Sequence, residues 1–532
     1  MVTDTAATKR HPNRAFMVLF CIEIWERFGY YGMASLLVLY MVQQRGFSDA
    51  RSYAVWGAFS ALVYAMPMLG GYLGDHVLGL RRTMVLGAVT LALGYLLLSI
   101  PLDAALFPAM GLMALGNGLF KVNPNNLVSR LHEGEHSKLD ILFTVYYMSL
   151  QLGAFVSILL LPWIKDHPQW LVTIGPLRFD SWHLAFGVSA LGLTLGLLNY
   201  GVFRDYLRPY GAPPDFKPVR PGTFTAVIVI SLVIAALLSQ VIGYSAAALA
   251  VVALLAVILV YVFARLLATG ERGTRNGVIA CIVFTLISII WAVYNQQIYT
   301  SLTLFALRNV RLSLLGVHIA PAQFQDLNQF WLAVLSLPLA WLYARRARTS
   351  RGDFSIAAKF TVGLYLLAAA FFLYAASSLT AHDGVTSPGW LVAGYFAQSL
   401  GELLISALSF SMISQLVAER SRGIIMGGWF LGMGLSNYAG GAIAGLASIP
   451  AGMTSPVETL PIYIHLFLWL AVGALIAAII ANLLVPWLNR LTAAPTKEEA
   501  PNDAAAAAPL AKAWNSGTPV SEQRPSAHAA PD

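Results

Sequence analysis

The chain has 532 residues, 58% of them hydrophobic and 11% charged, with 33 Lys and Arg against 25 Asp and Glu. A soluble domain carries about 25% charged residues, so a water-soluble globule is excluded, and at roughly 20 apolar residues per bilayer crossing the length holds a dozen or more spans. The formal charge of +8 has the sign a nucleic-acid binder carries, but the placement of the charges speaks against that partner.

Apolar runs of spanning length fall at residues 16–41, 53–73, 83–100, 107–129, 141–163 and 182–203, a first block of six. Residues 204–221 (RDYLRPYGAPPDFKPVRP) are hydrophilic and Pro-rich and read as a linker between domains. Two plain runs follow at 223–241 and 246–266, without an acid and with Arg265 as their only base. Six more lie at 277–299, 330–343, 356–377, 390–413, 424–447 and 462–487. The layout predicts an all-α membrane protein of fourteen helices, arranged six, two, six. Its expected divisions are an N-terminal segment (1–15), a six-helix bundle (16–203), a linker with an inserted helix pair (204–276), a second six-helix bundle (277–488) and a tail (489–532). The tail is rich in Ala, Pro and polar residues with no apolar face to bury, and disorder is expected there.

Lys and Arg set the orientation. With the N-terminus cytoplasmic, Lys9, Arg10, Arg14, Arg81, Arg82, Arg204, Arg208, Arg345, Arg346, Arg420 and Arg422 are among those on one side, whereas the other holds only Arg45, Arg51, Lys165, Arg178, Arg308 and Arg311. The basic surplus is therefore a topology signal, and both termini are expected in the cytoplasm. The first apolar run is interrupted by Glu23, Glu26 and Arg27 and has no small-residue cleavage site after it, so it is expected to remain as a span rather than be removed as a signal peptide. Cys21 and Cys281 lie in apolar runs with no CxxC and read as small hydrophobes.

Away from the span ends, five strongly charged residues lie within the spans: Glu23, Glu26 and Arg27 in the first, Lys121 in the fourth and Glu402 in the fourth of the second block. A charge at mid-helix opposes insertion by about 2.5 to 3.5 kcal/mol, so three within one turn must face a bundle interior or a wet cavity. Glu23, Arg27 and Tyr31 recur at i, i+4 and i+8 on one face, with Glu26 and Tyr30 on a neighbouring stripe. An ion pair that merely locks the helix is the plainer reading, but a buried pair rarely stabilises more than an apolar replacement, which favours function. Lys121 and Glu402 hold the same ordinal place in each block. A pseudo-two-fold would set them on opposite walls of a central cavity, one cationic (Arg27, Lys121) and one anionic (Glu402). A zwitterion with separated ends fits that polarity. At about 3.3 to 3.6 Å per extended residue, two or three residues bridge roughly 7 to 11 Å. Glu402 paired with a polar neighbour that only positions its helix is the plainer alternative.

These residues lie in stretches that resemble a known family. Residues 23–32, EIWERFGYYG, are similar to the ExxERFxYYG signature of the proton-dependent oligopeptide transporter family, a branch of the major facilitator superfamily. GGYLGDHVLGLRR (70–82), GNGLFKVNP (116–124), YYMSLQLGAF (146–155), TSLTLFALRNV (from 300), SLGELLISAL and GGWFLGMG resemble further motifs of that family in order, over nearly all of residues 16–487. The likeness is greatest to bacterial dipeptide and tripeptide permeases, with an extra helix pair between the bundles. It implies a major facilitator fold in a bacterial inner membrane, a functional monomer, no cofactor beyond the coupling proton, and import of di- and tripeptides with protons by alternating access. By resemblance, Glu23, Glu26, Arg27 and Lys121 take part in proton coupling. Arg27 and Lys121 would also meet the peptide carboxylate and Glu402 its amino group, while Tyr31, Tyr64, Tyr147, Asn328 and Trp429 would line the peptide cavity. Two departures stand out. Gln151 replaces the usual Asn of the fifth-span motif, which shifts that amide contact by one methylene. Asn295 stands where many relatives carry a carboxylate, and Ala34 where some carry Arg, so a gating salt bridge between those positions cannot form and other contacts must gate.

The expected cycle has Glu23 or Glu26 protonated to release Lys121 and Arg27 for peptide, after which the halves rock and deprotonation restores the pairing. Asp75, Arg81 and Arg82, in the loop after the second span, are read as conformational, with Asp75 capping or pairing with nearby Arg and helix ends during rocking. His183 and His465, at or near span ends, read equally as interfacial residues or proton carriers. His132 to His136 (HEGEH) matches the H-E-x-x-H pattern of zinc proteases, but that chemistry needs both His on one face of a stable helix and a third ligand, and a solvated loop is the preferred reading. No Gly-Lys dipeptide occurs, which excludes an ATP-binding P-loop. The runner-up function is a carrier for another small anion or zwitterion, such as nitrate or an amino acid, with Glu402 arguing against a plain anion; an intramembrane metalloprotease is remote.

Overall fold

The computed structural model describes residues 11–131, 136–167, 172–174, 177–269, 272–314, 316–347, 354–416, 419–450 and 452–492. The HEGEH run, apart from its final His, and residues 493–532 of the expected tail lie outside the described residues.

Among the described residues, fourteen long helices are called spans 1 to 14. The first six are Pro12–Leu39, Asp49–Ala65, Leu80–Leu98, Leu106–Lys121, His136–Lys165 and Ser181–Phe203. Spans 7 and 8 are Pro221–Gly243 and Ser245–Thr269. Spans 9 to 14 are Arg272–Asn295, Asp326–Ala347, Ile356–Ala376, Gly389–Leu416, Glu419–Ala444 and Pro456–Thr492.

Helix ends follow local chemistry that the apolar runs miss. Span 2 begins at Asp49 because Ser48, in an extended conformation, accepts the N–H of Arg51 at 3.3 Å, and it breaks where Pro67 starts a new short helix, Pro67–Tyr72. Span 9 stops at Asn295 rather than at 299; a tight turn, Gln296–Ile298, and a short helix, Ser301–Asn309, follow. The expected run 330–343 extends to both sides as span 10.

The polar stretch after span 6 differs from a loose linker. It forms two short turns, Arg204–Leu207 and Pro213–Phe216, and buries Leu207, Tyr210, Ala212 and Asp215. The Asp215 carboxylate accepts the backbone N–H groups of Leu80 (2.7 Å), Arg81 (3.2 Å) and Ala212 (3.0 Å), so it caps the start of span 3 from 135 residues away. Gly79 makes this possible: its φ is +96°, and a Cβ there would overlap the Asp215 carboxyl.

Span 1 packs between spans 5 and 6, span 3 lies along span 4, and span 14 lies along span 11. The halves meet chiefly where span 2 crosses span 13, with Gly441 against the backbone of Tyr53 and Gly57. The inserted pair, expected to be a scaffold against lipid, touches both halves. Span 7 lies on span 4, where Gly111 faces Ala235 and Ser239, and span 8 lies on span 13, where Gly428 faces Phe263. These contacts bring spans 1, 4 and 5 of the first half opposite spans 10, 12 and 13 of the second.

Candidate functional site

The face of span 1 that the spacing predicts is buried, with Glu23, Glu26 and Arg27 each no more than 6% exposed. Arg27 Nε stands 3.2 Å from Glu23 Oε1 and 2.5 Å from Glu26 Oε2. Each carboxylate has a further anchor from another span. Tyr146 of span 5 donates its hydroxyl to Glu23 Oε2 at 2.5 Å, and Asn117 of span 4 donates to Glu26 Oε1 at 3.3 Å. Lys121 is within electrostatic reach of Arg27, Glu26 and Glu23. It makes no ion pair within 4 Å among the described residues, and its Nζ sits 4.0 Å from the centre of the Tyr64 ring. Two ionised carboxylates against two cations leave this cluster neutral, with the lysine held by a cation–π contact rather than by a carboxylate. The sequence expectation pairs a carboxylate with Lys121; in this structure both pair with Arg27.

Across the interior, Asn328 of span 10 donates to Glu402 Oε2 of span 12 at 3.0 Å and to Ser399 Oγ at 3.0 Å. Glu402 thus has a polar neighbour, and that neighbour is itself one of the residues expected to line the site. Tyr31 feels the charges of both Arg27 and Glu402, while Tyr64 and Tyr147 also lie in the reach of Glu402. Tyr31, from span 1, therefore bridges the cationic and anionic groups, and Tyr147 is 54% exposed, facing open space rather than core. The side chains of Gln151 and Asn295 make no hydrogen bond among the described residues, and Trp429 is buried on span 13 beside Phe430.

Asp75 is exposed, and Arg81 pairs with Asp215 instead (3.4 Å from Nε to Oδ1). Arg82 donates to the carbonyls of Leu78, Pro214 and Lys217. The linker has taken the partners that a local reading assigns to the loop. His183 donates Nδ1–H to Asp180 Oδ1 at 2.6 Å, and the same carboxylate caps span 6 by accepting the N–H groups of Trp182 and His183.

Sequence reasoning misses the contacts that join the halves. Arg308 grips Asp49 with both terminal nitrogens, at 2.6 and 2.9 Å, and also donates to Tyr463 at 2.7 Å. Asp49 further accepts the N–H of Ile449. Trp56 donates to Gln296, Gln296 to Asn437, and Asn437 back to the Ser60 carbonyl. Gln325 donates to the Ser35 carbonyl and Gln323 to that of Leu159. These bonds draw the halves together toward the side poor in Lys and Arg. Of the missed residues, Asn117 alone carried a signal, four positions before Lys121 on one face.

Two helical bundles that meet along a charged interior and are bridged by an inserted pair make a multi-pass membrane protein of the major facilitator type. A sequence profile of the POT family matches residues 81–457, and the chain belongs to that family. Dipeptide and tripeptide permease B of Yersinia enterocolitica is 39% identical over 92% of this chain and 98% of that protein. Dipeptide and tripeptide permease A of Salmonella typhimurium is 36% identical over 90% and 93%. The crystal structure of tetrameric PepTSo2 superposes with a TM-score of 0.80 at 39% identity, covering 90% of this chain and 99% of that one.

Proposed function

We propose that this protein is a symporter that imports di- and tripeptides together with protons by alternating access, with both termini in the cytoplasm. The single observation that carries the reading is the separation of charge across the interior. Arg27 and Lys121 lie on one wall, Glu402 with Asn328 on the other, and tyrosines stand between them. A peptide carboxylate is drawn to the first wall and its ammonium to the second. The aromatic lining is tolerant of side chains because Tyr offers both an apolar face and a hydroxyl.

The proton acts through Arg27. With both carboxylates ionised, the guanidinium is engaged by Glu23 and Glu26. Protonating either removes one negative charge from its flank and releases it toward an incoming carboxylate. Lys121, already without a carboxylate, is the first cation the peptide meets. Rocking of the halves requires parting the Asp49–Arg308 bridge on one side, and loss of the proton then re-engages Arg27 and expels the peptide. Because one chain supplies both walls and all the coupling residues, the monomer is the functional unit, with the proton as the only coupling agent. The solved relative PepTSo2 is tetrameric, which makes subunit number worth measuring, but no step above needs a second copy. Transport of nitrate is disfavoured because Glu402 would repel it.

The test is uptake of labelled dialanine into proteoliposomes with and without an inward proton gradient. Accumulation that follows the gradient is expected. Uptake indifferent to it refutes the coupling, and competition by free amino acids replaces the peptide reading with an amino-acid carrier.

A further inference from the structure

Where spans 3 and 6 meet the polar stretch after span 6, a cavity of about 530 Å³ is lined by Arg81, Arg82, Tyr200, Arg204, Arg208 and Asp215. Arg81 and Arg82 are tethered mostly by backbone carbonyls, at 3.1 Å to Asp215 O, 3.0 Å to Pro214 O and 3.0 Å to Lys217 O. Carbonyls orient a guanidinium without neutralising it. Asp215 accepts the N–H groups of Leu80 and Ala212 and also pairs with Arg81 Nε at 3.4 Å, while Asp205 pairs with Arg208 Nε at 2.9 Å. The Arg204 side chain makes no hydrogen bond or ion pair among the described residues. Four guanidinium groups against two carboxylates leave the cavity with a net double positive charge.

The same two helices form a second feature. A groove of about 360 Å³ runs between Val89, Leu93 and Leu96 of span 3 and Leu191, Thr194 and Leu197 of span 6. Its one hydroxyl, on Thr194, is satisfied within the helix by the Ala190 carbonyl at 2.8 Å, so the groove offers only apolar surface. Val89, Leu93 and Leu96 follow Arg82 at i+7, i+11 and i+14, and Leu197 precedes Arg204 by seven, so basic cavity and groove share one stripe on each helix. At 1.5 Å per residue the groove runs from roughly 10 to roughly 21 Å beyond Arg82. Half of a bilayer's hydrocarbon core is about 15 Å.

We propose that this paired feature is a binding site for an anionic phospholipid, with the phosphate held in the arginine cavity and an acyl chain laid in the groove between spans 3 and 6. Basic pockets at the ends of membrane helices suit such headgroups, and bidentate guanidinium–phosphate contacts suit arginine. A water-soluble phosphate would satisfy the cavity and leave the groove unused, and the alignment of the two selects the lipid. The site lies outside the peptide cavity and does not rest on the transport reading.

The test is native mass spectrometry of the purified full chain with phosphatidylglycerol, phosphatidylethanolamine or inorganic phosphate added. Phosphatidylglycerol is expected to stay bound in preference to phosphatidylethanolamine. Arg204→Ala should weaken it about 5-fold, and Arg204→Ala with Arg208→Ala about 30-fold, the equivalent of ~1 kcal/mol per arginine. Thr194→Trp, which fills the groove and leaves every arginine in place, should also weaken phosphatidylglycerol. Dipeptide binding by each variant reports folding, and Arg204→Gln replaces any alanine variant that misfolds. Undiminished phosphatidylglycerol binding by the double arginine variant overturns the site. Displacement of phosphatidylglycerol by inorganic phosphate, with no effect of Thr194→Trp, overturns the lipid in favour of a free phosphate.

Discussion

The bridge between Asp49 and Arg308 is the strongest single link between the halves, and its removal makes a quantitative prediction. The Asp49 side chain is 3% exposed and that of Arg308 22%, and the geometry is bidentate at 2.6 and 2.9 Å. Removing one partner of a buried pair is destabilising by about 3 to 5 kcal/mol. Partial exposure of the arginine and the surviving bond from Ile449 to Asp49 reduce this to about 2 to 3 kcal/mol, or roughly 30- to 140-fold in population. The loss falls on the state in which the two ends touch, so Arg308→Ala should shift the population toward separation there. Arg308 also anchors Tyr463 within its own half, and Asp49→Asn therefore serves as a second perturbation that leaves that bond intact. The assay is a distance distribution between spin labels at Arg51 of the first half and Arg311 of the second. Both variants should add or enlarge a long-distance population, and exchanging the charges, Asp49→Arg with Arg308→Asp, should reverse much of it. Distributions that match the parent protein in both single variants would refute the reasoning, because the bridge would then contribute nothing to the closed arrangement.

Lys121→Ala and Glu23→Gln should each abolish proton-driven accumulation of dialanine while leaving measurable peptide binding; normal concentrative uptake by both would remove the coupling assignment. Glu402→Ala should reduce uptake of peptides with a free amino terminus far more than uptake of N-blocked peptides, and equal losses would detach Glu402 from the ammonium. At the start of span 6, burial pushes the Asp180 carboxyl up, but its bonds from His183 and Trp182 outweigh that and hold it below the usual carboxylate range. A carboxyl held low in the folded state stabilises above its unfolded pKa, and that stabilisation is lost as pH falls through the folded value. Asp180→Ala should therefore be less stable by ~1 kcal/mol at neutral pH, and in thermal unfolding the gap should close only in acid well below pH about 4.

What could be read from the sequence divides along a physical line. Membrane spans and buried charges are local or periodic: an apolar run declares itself, and three charges inside one run must be internal whatever surrounds them. Glu23, Glu26 and Arg27 needed only helical spacing to be put on shared faces. Partners far apart in the chain leave no such trace. Asp49 looks like an ordinary first-turn acid behind Ser48, and Arg308 like one of the few bases on the poorly basic side, yet 259 positions apart they bind each other. Asp215 sits in a Pro-rich segment whose composition resembles a linker, and only the fold reveals that it caps span 3. The order of motifs along the chain supplied what periodicity could not, the membership of Asn328 and Tyr147 in the interior; for Gln151 and Asn295 the structure adds no partner.

The two departures at positions 34 and 295 and the bridge at 49 and 308 belong to one argument. A transporter that rocks must hold one end shut with bonds that can be broken at a tolerable energy. With Ala34 and Asn295 at the positions where resemblance implies a charged pair in some relatives, this chain has no charges to part there, and parting two buried charges is expensive. Asp49 and Arg308 put a pair at the rim instead, where the guanidinium is already partly exposed and water can replace each bond as it opens. The amide chain from Trp56 through Gln296 and Asn437 to Ser60 lies deeper and is neutral, so its separation strands no charge. Gating by a rim ion pair above a neutral amide chain leaves the buried charges around Arg27, together with Glu402, to answer to the proton and the peptide.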